Sequence, residues 1–240
     1  MQDRTSVGPA EFRRKVTMKK IILLALAAAS VAAFALPATA MAVEEDVAVH
    51  EVPAPIGAKT ITGEGSATLT GSFGNVVCTS SSGTATFENS TTGTFEQTFK
   101  GCTFGGPCTT EGQAAGTITT TVLPFHLVTV EHTPTTGSPG PGVLVTPNAA
   151  TGVFAHFTCG FIKVTVEGNG LLGTITKPPC GGTSSEPTIQ FSSSSTSVQT
   201  HKTVVGTPNT EYSIKTNLGA ASEDASGIIS LGTPAELVCT

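Results

Sequence analysis

The 240-residue chain carries 12 Lys and Arg against 17 Asp and Glu, with 12% charged residues, no Trp and one Tyr. Its arginines, Arg4, Arg13 and Arg14, all precede residue 15, so from residue 43 onward six lysines face fifteen acids and the net charge is −9. A negative field without arginine repels phosphate backbones and lacks the bidentate contacts that arginine makes to phosphate and guanine, which excludes nucleic acid as a partner.

Met18-Lys19-Lys20 opens a charged segment, Ile21 to Leu36 is an unbroken apolar run, and Ala38-Thr39-Ala40 or Ala40-Met41-Ala42 supplies a small-residue cleavage pattern. This order predicts a secretory signal peptide over residues 1–42, preceded by an extension from Met1 to Thr17. The apolar run is 16 residues, shorter than the roughly 20 that a spanning helix needs. Glu44-Glu45-Asp46 follows closely, so cleavage is expected rather than a stable membrane anchor. No cysteine lies at the cleavage site to carry a lipid. The product is expected to be secreted, extracellular or associated with the cell envelope.

Residues 43–58 are rich in acids, proline and glycine and read as a flexible tail, leaving 59–240 as one all-β domain. From Lys59 the pattern is strand, turn, strand: Lys59 to Thr62, Ser66 to Thr70, Val76 to Thr79, Thr84 to Glu88 and Thr94 to Lys100. Each is short, β-branched or aromatic, and bounded by Gly, Ser or Asn. A longer strand is expected from Ala115 to Glu131, where Pro124 marks an edge, a bulge or a break because proline cannot donate to a ladder. Thr133 to Gly142, with three prolines and three glycines, reads as a loop. Val143 to Thr146, Gly152 to Cys159 and Phe161 to Ile175 form the clearest hairpin region. Lys177 to Pro187 is a second loop. Ile189 to Phe191, Lys202 to Val205, Glu211 to Thr216, Gly227 to Leu231 and Glu236 to Cys239 complete the expected strands. Downstream of the leader no segment sustains the i, i+3, i+4, i+7 apolar pattern of a helix.

Six cysteines, Cys78, Cys102, Cys108, Cys159, Cys180 and Cys239, all follow the leader. An even number in an exported chain points to three disulfides. No Cys-x-x-Cys occurs, so thiol redox catalysis and a zinc ribbon lack their spacing. The Gly-Gly-Pro between Cys102 and Cys108 permits a sharp reversal that would let those two close on each other. Pinning Cys239 to Cys180 would stop the terminus fraying, worth on the order of 2–4 kcal/mol.

Three chemistries bear on this frame. A serine triad would need Glu as its orienting acid, since the only Asp residues past the leader are Asp46 and Asp224, and no Gly-x-Ser-x-Gly elbow is present. Glu88, Glu96, Glu131 and Glu167 could pair as glycosidase-like carboxylates, but solvated strand faces are the simpler account of them. His126, Glu131, His132 and His156 are the metal-ligand candidates; six residues of straight strand hold His126 and His132 about 20 Å apart, which leaves His126 with His156 on a neighbouring strand, against two half-buried imidazoles. No metal or cofactor is expected. The ten phenylalanines past the leader (Phe73, Phe87, Phe95, Phe99, Phe104, Phe125, Phe154, Phe157, Phe161 and Phe191) read as core rather than as a sugar platform. Thr-x-Thr pairs such as Thr60/Thr62 and Thr84/Thr86 lack the sustained period of a solenoid and read as exposed strand faces.

The order Cys78, Gly-Cys102, Cys108, the strand Gly-Thr-Ile-Thr-Thr-Thr-Val-Leu from Gly116, then Phe-Ala-His-Phe-Thr-Cys159 and Val-Thr-Val-Glu-Gly-Asn-Gly170 resembles a group of uncharacterised exported actinobacterial proteins. The resemblance spans roughly residues 60 to 195. It implies a signal peptide, a four-cysteine pattern and a β-rich body, and carries no activity. Cys180 and Cys239 fall outside that pattern, which leaves them to pair with each other. Of the fifteen possible pairings, Cys102–Cys108, Cys78–Cys159 and Cys180–Cys239 are the expected set. The expected fold is a single antiparallel β-sandwich or flattened β-barrel. The expected role is a non-catalytic envelope or extracellular module binding an unknown surface or protein partner, with a secreted hydrolase or a barrel carrying an apolar ligand as alternatives.

Overall fold

A computed structural model describes residues 49–131, 139–195, 197–207 and 210–239. The leader with its extension, His132 and most of the Thr133 to Gly142 loop lie outside these described residues. Among them there are twenty strands and no helix. In chain order the first ten are β1 (Val49–Val52), β2 (Gly57–Gly63), β3 (Ala67–Gly71), β4 (Gly74–Cys78), β5 (Ser80–Phe87), β6 (Thr92–Lys100), β7 (Cys108–Thr109), β8 (Thr117–Thr119), β9 (Leu123–Val130) and β10 (Gly140–Val145). The remainder are β11 (Val153–Cys159), β12 (Ile162–Gly168), β13 (Leu171–Lys177), β14 (Thr183–Ser184), β15 (Thr188–Phe191), β16 (Ser193–Ser195), β17 (Val198–Gln199), β18 (Ile214–Thr216), β19 (Gly219–Ser230) and β20 (Ala235–Cys239).

Eight strands close on themselves in the order β15, β13, β10, β9, β6, β5, β2, β19, and β19 then pairs with β15 through Thr188↔Ile228 to Phe191↔Ala225. The fold is therefore a closed antiparallel barrel and not a sandwich. Closure leaves no free sheet edge among those eight strands. Alternation explains how the sequence specifies it. On β6, Phe95, Gln97 and Phe99 point inward while Thr94, Glu96 and Thr98 point outward. On β2 and β5, Thr60, Thr62, Thr84 and Thr86 lie exposed on the outer face, with Thr60 directly opposite Thr84. Two glycines permit the tight coiling. A Cβ at Gly83 would fall 2.2 Å from the Glu96 carbonyl oxygen, and one at Gly93 would fall 2.2 Å from that of Thr86.

The 12-residue β19 belongs to two sheets, pairing with β3 over Ala221–Asp224 and with β2 over Gly227–Ser230. Its first half anchors a second sheet in the order β4, β3, β19, β18, β12, β11, β7. The expected strand began only at Gly227. The preceding Ala-Ala-Ser-Glu-Asp-Ala run hides its strand character because its inward positions are small or acidic. Pro124 falls at the second position of β9, after a break separating that strand from β8. Outward-facing Val128, Val130, Leu144 and Leu172 form a second core under Val204 and Tyr212. The stretch around Val204 is irregular and touches the barrel by one bridge to Val130, in place of the strand expected from Lys202 to Val205.

The flexible tail assigned to residues 43–58 is corrected over its last part. Val49–Val52 pairs with β20, Val49 is fully buried, and β2 already begins at Gly57. β1, β20 and β14 form a three-stranded sheet whose Val49, Ala235 and Leu237 join the main core. Acids and prolines suggested mobility, yet alternation of Val49 and Glu51 inward with His50 and Val52 outward suffices for a strand.

Two expected disulfides are also corrected. The bridges are Cys78–Cys102, Cys108–Cys159 and Cys180–Cys239, and no described cysteine is free. Strand register decides the first two. The β5–β6 ladder pairs Ser80 with Lys100, and carrying it outward by two residues sets Cys78 opposite Cys102. Cys108 is the ladder partner of Cys159. Cys102 instead accepts a backbone hydrogen bond from the Cys108 N–H, so the chain does reverse there, but the two side chains serve different partners. Of the ten phenylalanines, Phe161 departs from the expected core role: it sits at the β11–β12 turn with its side chain fully exposed.

Candidate functional site

The barrel interior holds a cavity of about 160 Å³ that the protein's own side chains do not fill. Ile61 from β2, Phe87 from β5, Phe95 and Phe99 from β6, Leu123 and Phe125 from β9, Val143 and Val145 from β10, Leu171 and Ile175 from β13, and Ile189 and Phe191 from β15 line it. Phe87 and Phe125 meet edge to face with ring centroids 5.1 Å apart. The second sheet contributes Leu69, Val76, Phe154, Phe157, Val166 and Ile214, so the interior continues beneath it. Eight-stranded barrels have just enough room for side chains to fill them or for one small ligand. Here small residues open that room: Ala85, Ala225 and Gly227 occupy inward positions where a larger chain would project.

Besides the hydroxyl residues Thr68, Ser81, Thr120 and Ser226, two carboxyls and one amide line this apolar space. Gln97, on β6, is buried, and its Oε1 has no hydrogen-bond partner. Glu51, on β1, is 5% exposed and its Oε2 likewise has none. Burial pushes the Glu51 carboxyl up to about 7 against the opposing pull of Lys59. Lys59 Nζ donates to the Leu231 carbonyl at 3.0 Å, which places Glu51 near the end of the barrel where β19 finishes. Glu223, on β19, is surrounded by protein, and the surface it keeps faces the cavity. Its carboxyl is also pushed up to about 7, first by burial and then by the adjacent Asp224 charge. Eight residues of chain separate Glu223 from Leu231, about 26 Å at strand rise, so the two carboxyls approach the interior from different ends.

Local pairing fixes Glu223 inward. The Glu223 N–H donates to Gln199 Oε1 at 2.9 Å, and Gln199 Nε2 donates to the Glu223 carbonyl at 3.0 Å. Asp224, on the opposite face, accepts from the Ser193 N–H at 2.8 Å and from the Ser193 hydroxyl. The β16–β17 hairpin thus clamps the backbone of β19 from outside. Among the described residues nothing donates a hydrogen bond to the Glu223 carboxyl.

The residues singled out from sequence lie elsewhere. His126 is on the outer face of β9, where burial lowers its proton affinity and nearby Glu88 opposes that effect. His156 is exposed on β11 with Nδ1 3.0 Å from Thr165 Oγ1. Glu88 and Glu96 are exposed, Glu131 accepts from Thr203 Oγ1 at 2.8 Å, and Glu167 sits 3.8 Å from Lys215 Nζ. None of these lines the cavity. Among the described residues no three His, Cys, Asp or Glu side chains gather as a metal site. Glu51 and Glu223 were the missed residues. The available signal for Glu223 was its phase with Ala225, Gly227 and Ile229, which predicts a shared inward face once one long strand is drawn.

No protein-family model, curated protein or solved structure matches this chain.

Proposed function

We propose that this chain is an exported carrier that holds a small, predominantly apolar molecule inside its barrel. The observation that carries the reading is the apolar cavity of about 160 Å³ lined by the eight barrel strands and by the second sheet. An apolar cavity of about 150 Å³ accommodates one benzene-sized molecule. Three disulfides suit an oxidising, extracellular setting, which agrees with the secretory leader read from the sequence. A Ser/His hydrolase would call for a histidine beside the cavity, and His126 and His156 both lie outside it; a glycosidase pair would need its two carboxyls within about 10 Å, whereas Glu51 and Glu223 approach the interior from different ends.

Titration with toluene, followed by methyl NMR of the lining Leu, Ile and Val residues, tests the carrier reading. Saturable shifts confined to lining residues are expected, and they should vanish in Ala225→Leu, whose added side chain projects into the cavity. Absence of shifts at saturating toluene overturns the proposal.

A second reading, an envelope or extracellular module docking to a surface or protein partner, is favoured by one observation. Phe161 at the β11–β12 tip is fully exposed, next to half-exposed Ile162. Phe161→Ser should abolish retention on the cell envelope if that tip docks, and leave toluene binding unchanged.

A further inference from the structure

We propose that the cavity ligand is a lipophilic amine: a compact apolar body with one basic nitrogen seated against the Glu223 carboxyl. The inference deepens the carrier reading and rests on it. Glu223 reaches into an apolar space while its backbone is held on both sides by Gln199, so the carboxyl is positioned but unused. Buried polar groups are ordinarily paired, and a carboxyl left without a donor marks a place where a partner is expected.

Two further observations set the sign of that partner. Among the described residues the cavity lining contains no Lys, Arg or His. Lys59, near the far end, already donates to the Leu231 carbonyl beside Glu51. A fatty acid or other anion would meet Glu223 in a low-dielectric space with no counter-charge, so the anionic ligands open to other apolar barrels are disfavoured here. An ammonium group supplies three donors and no acceptor, which complements a carboxyl that receives no hydrogen bond. Its proton stays on nitrogen or is shared with Glu223, and the pair is neutral either way. The volume limits the apolar body to about one ring.

A matched series of ring compounds tests this at neutral pH by calorimetry on the purified protein: toluene, benzylamine, benzyl alcohol and benzoate. Benzylamine should bind about tenfold or more tighter than toluene, the scale of a hydrogen bond to a charged group, with benzoate weakest. Glu223→Gln should bring benzylamine to within about threefold of toluene. The Glu223 carboxyl ¹³C resonance of the wild-type protein should move with benzylamine and stay with toluene, a readout that does not depend on the variant folding. Benzylamine no tighter than toluene or benzyl alcohol, or a preference surviving in Glu223→Gln, overturns the amine assignment and leaves the carrier reading intact. If no member of the series binds, the carrier reading itself fails.

Discussion

Glu223 and Asp224 are consecutive on β19 and point to opposite faces of it, one into the apolar interior and the other to the hydroxyl and N–H of Ser193. The pleat converts two adjacent acids into unlike groups. Asp224 is satisfied from outside, whereas the Glu223 carboxyl is desolvated and pushed up to about 7.

A pH dependence follows with a definite sign. Glu51 and Glu223 both rise from 4.5 to about 7 on folding, so between those values the unfolded chain has released protons that the folded chain keeps. Their contribution is fully present below about pH 4.5, is lost as pH climbs toward 7 and is flat above it. The change is on the order of 3 kcal/mol per group at most. Urea unfolding should therefore show Glu223→Gln and Glu51→Gln more stable than the wild type at pH 8 and close to it at pH 4.5. Equal effects at both pH values would contradict the burial of these carboxyls.

Non-reducing peptide mapping should recover Cys78–Cys102, Cys108–Cys159 and Cys180–Cys239. A Cys102–Cys108 peptide would disprove the strand register at the end of the β5–β6 hairpin. Each native bridge closes a loop long enough that removal costs about 2–4 kcal/mol.

The cysteines also show where sequence reasoning reached its limit. Strand existence was legible wherever β-branched or aromatic residues alternate, as in Val153–Cys159 or Thr92–Lys100. Pairing was not, because it depends on register: Cys78 and Cys102 are equidistant from the turn of the β5–β6 hairpin, a symmetry visible only once both strand ends are fixed. Barrel closure was hidden for a related reason. It rests on β15 meeting β19, and half of β19 reads as Ala, Ser and acid rather than as strand. The cavity arises from inward Ala and Gly, residue types that look like turn or filler until their face is known.

Two phenylalanines should separate core from surface. Phe125 is 4% exposed and packs on Phe87, whereas Phe161 is fully exposed. Phe125→Ala should cost about 3 kcal/mol or more in denaturant unfolding, and Phe161→Ser should stay within about 0.5 kcal/mol of the wild type. Comparable losses at both sites would mean that the β11–β12 tip packs against something in solution, most simply a second copy.

The sheet of β1, β20 and β14 is tied down by few connections. Its ladders are the four residue pairs of β1 with β20 and the two of β14 with β20. Cys180–Cys239 links its last residues to the loop whose Gly181 and Gly182 exchange hydrogen bonds with Leu237. The barrel strands are each paired on both sides, whereas β1 has one partner strand, so loss of the bridge should loosen this sheet well before the barrel opens. In the Cys180→Ser, Cys239→Ser double variant, amide exchange should accelerate in β1 and β20 far more than in β5 or β6. Uniform acceleration would show that the bridge stabilises the whole fold through the unfolded chain alone. Selective acceleration accompanied by faster toluene dissociation would identify this sheet as the door to the cavity, with Val49, Glu51 and Leu237 as its inner face.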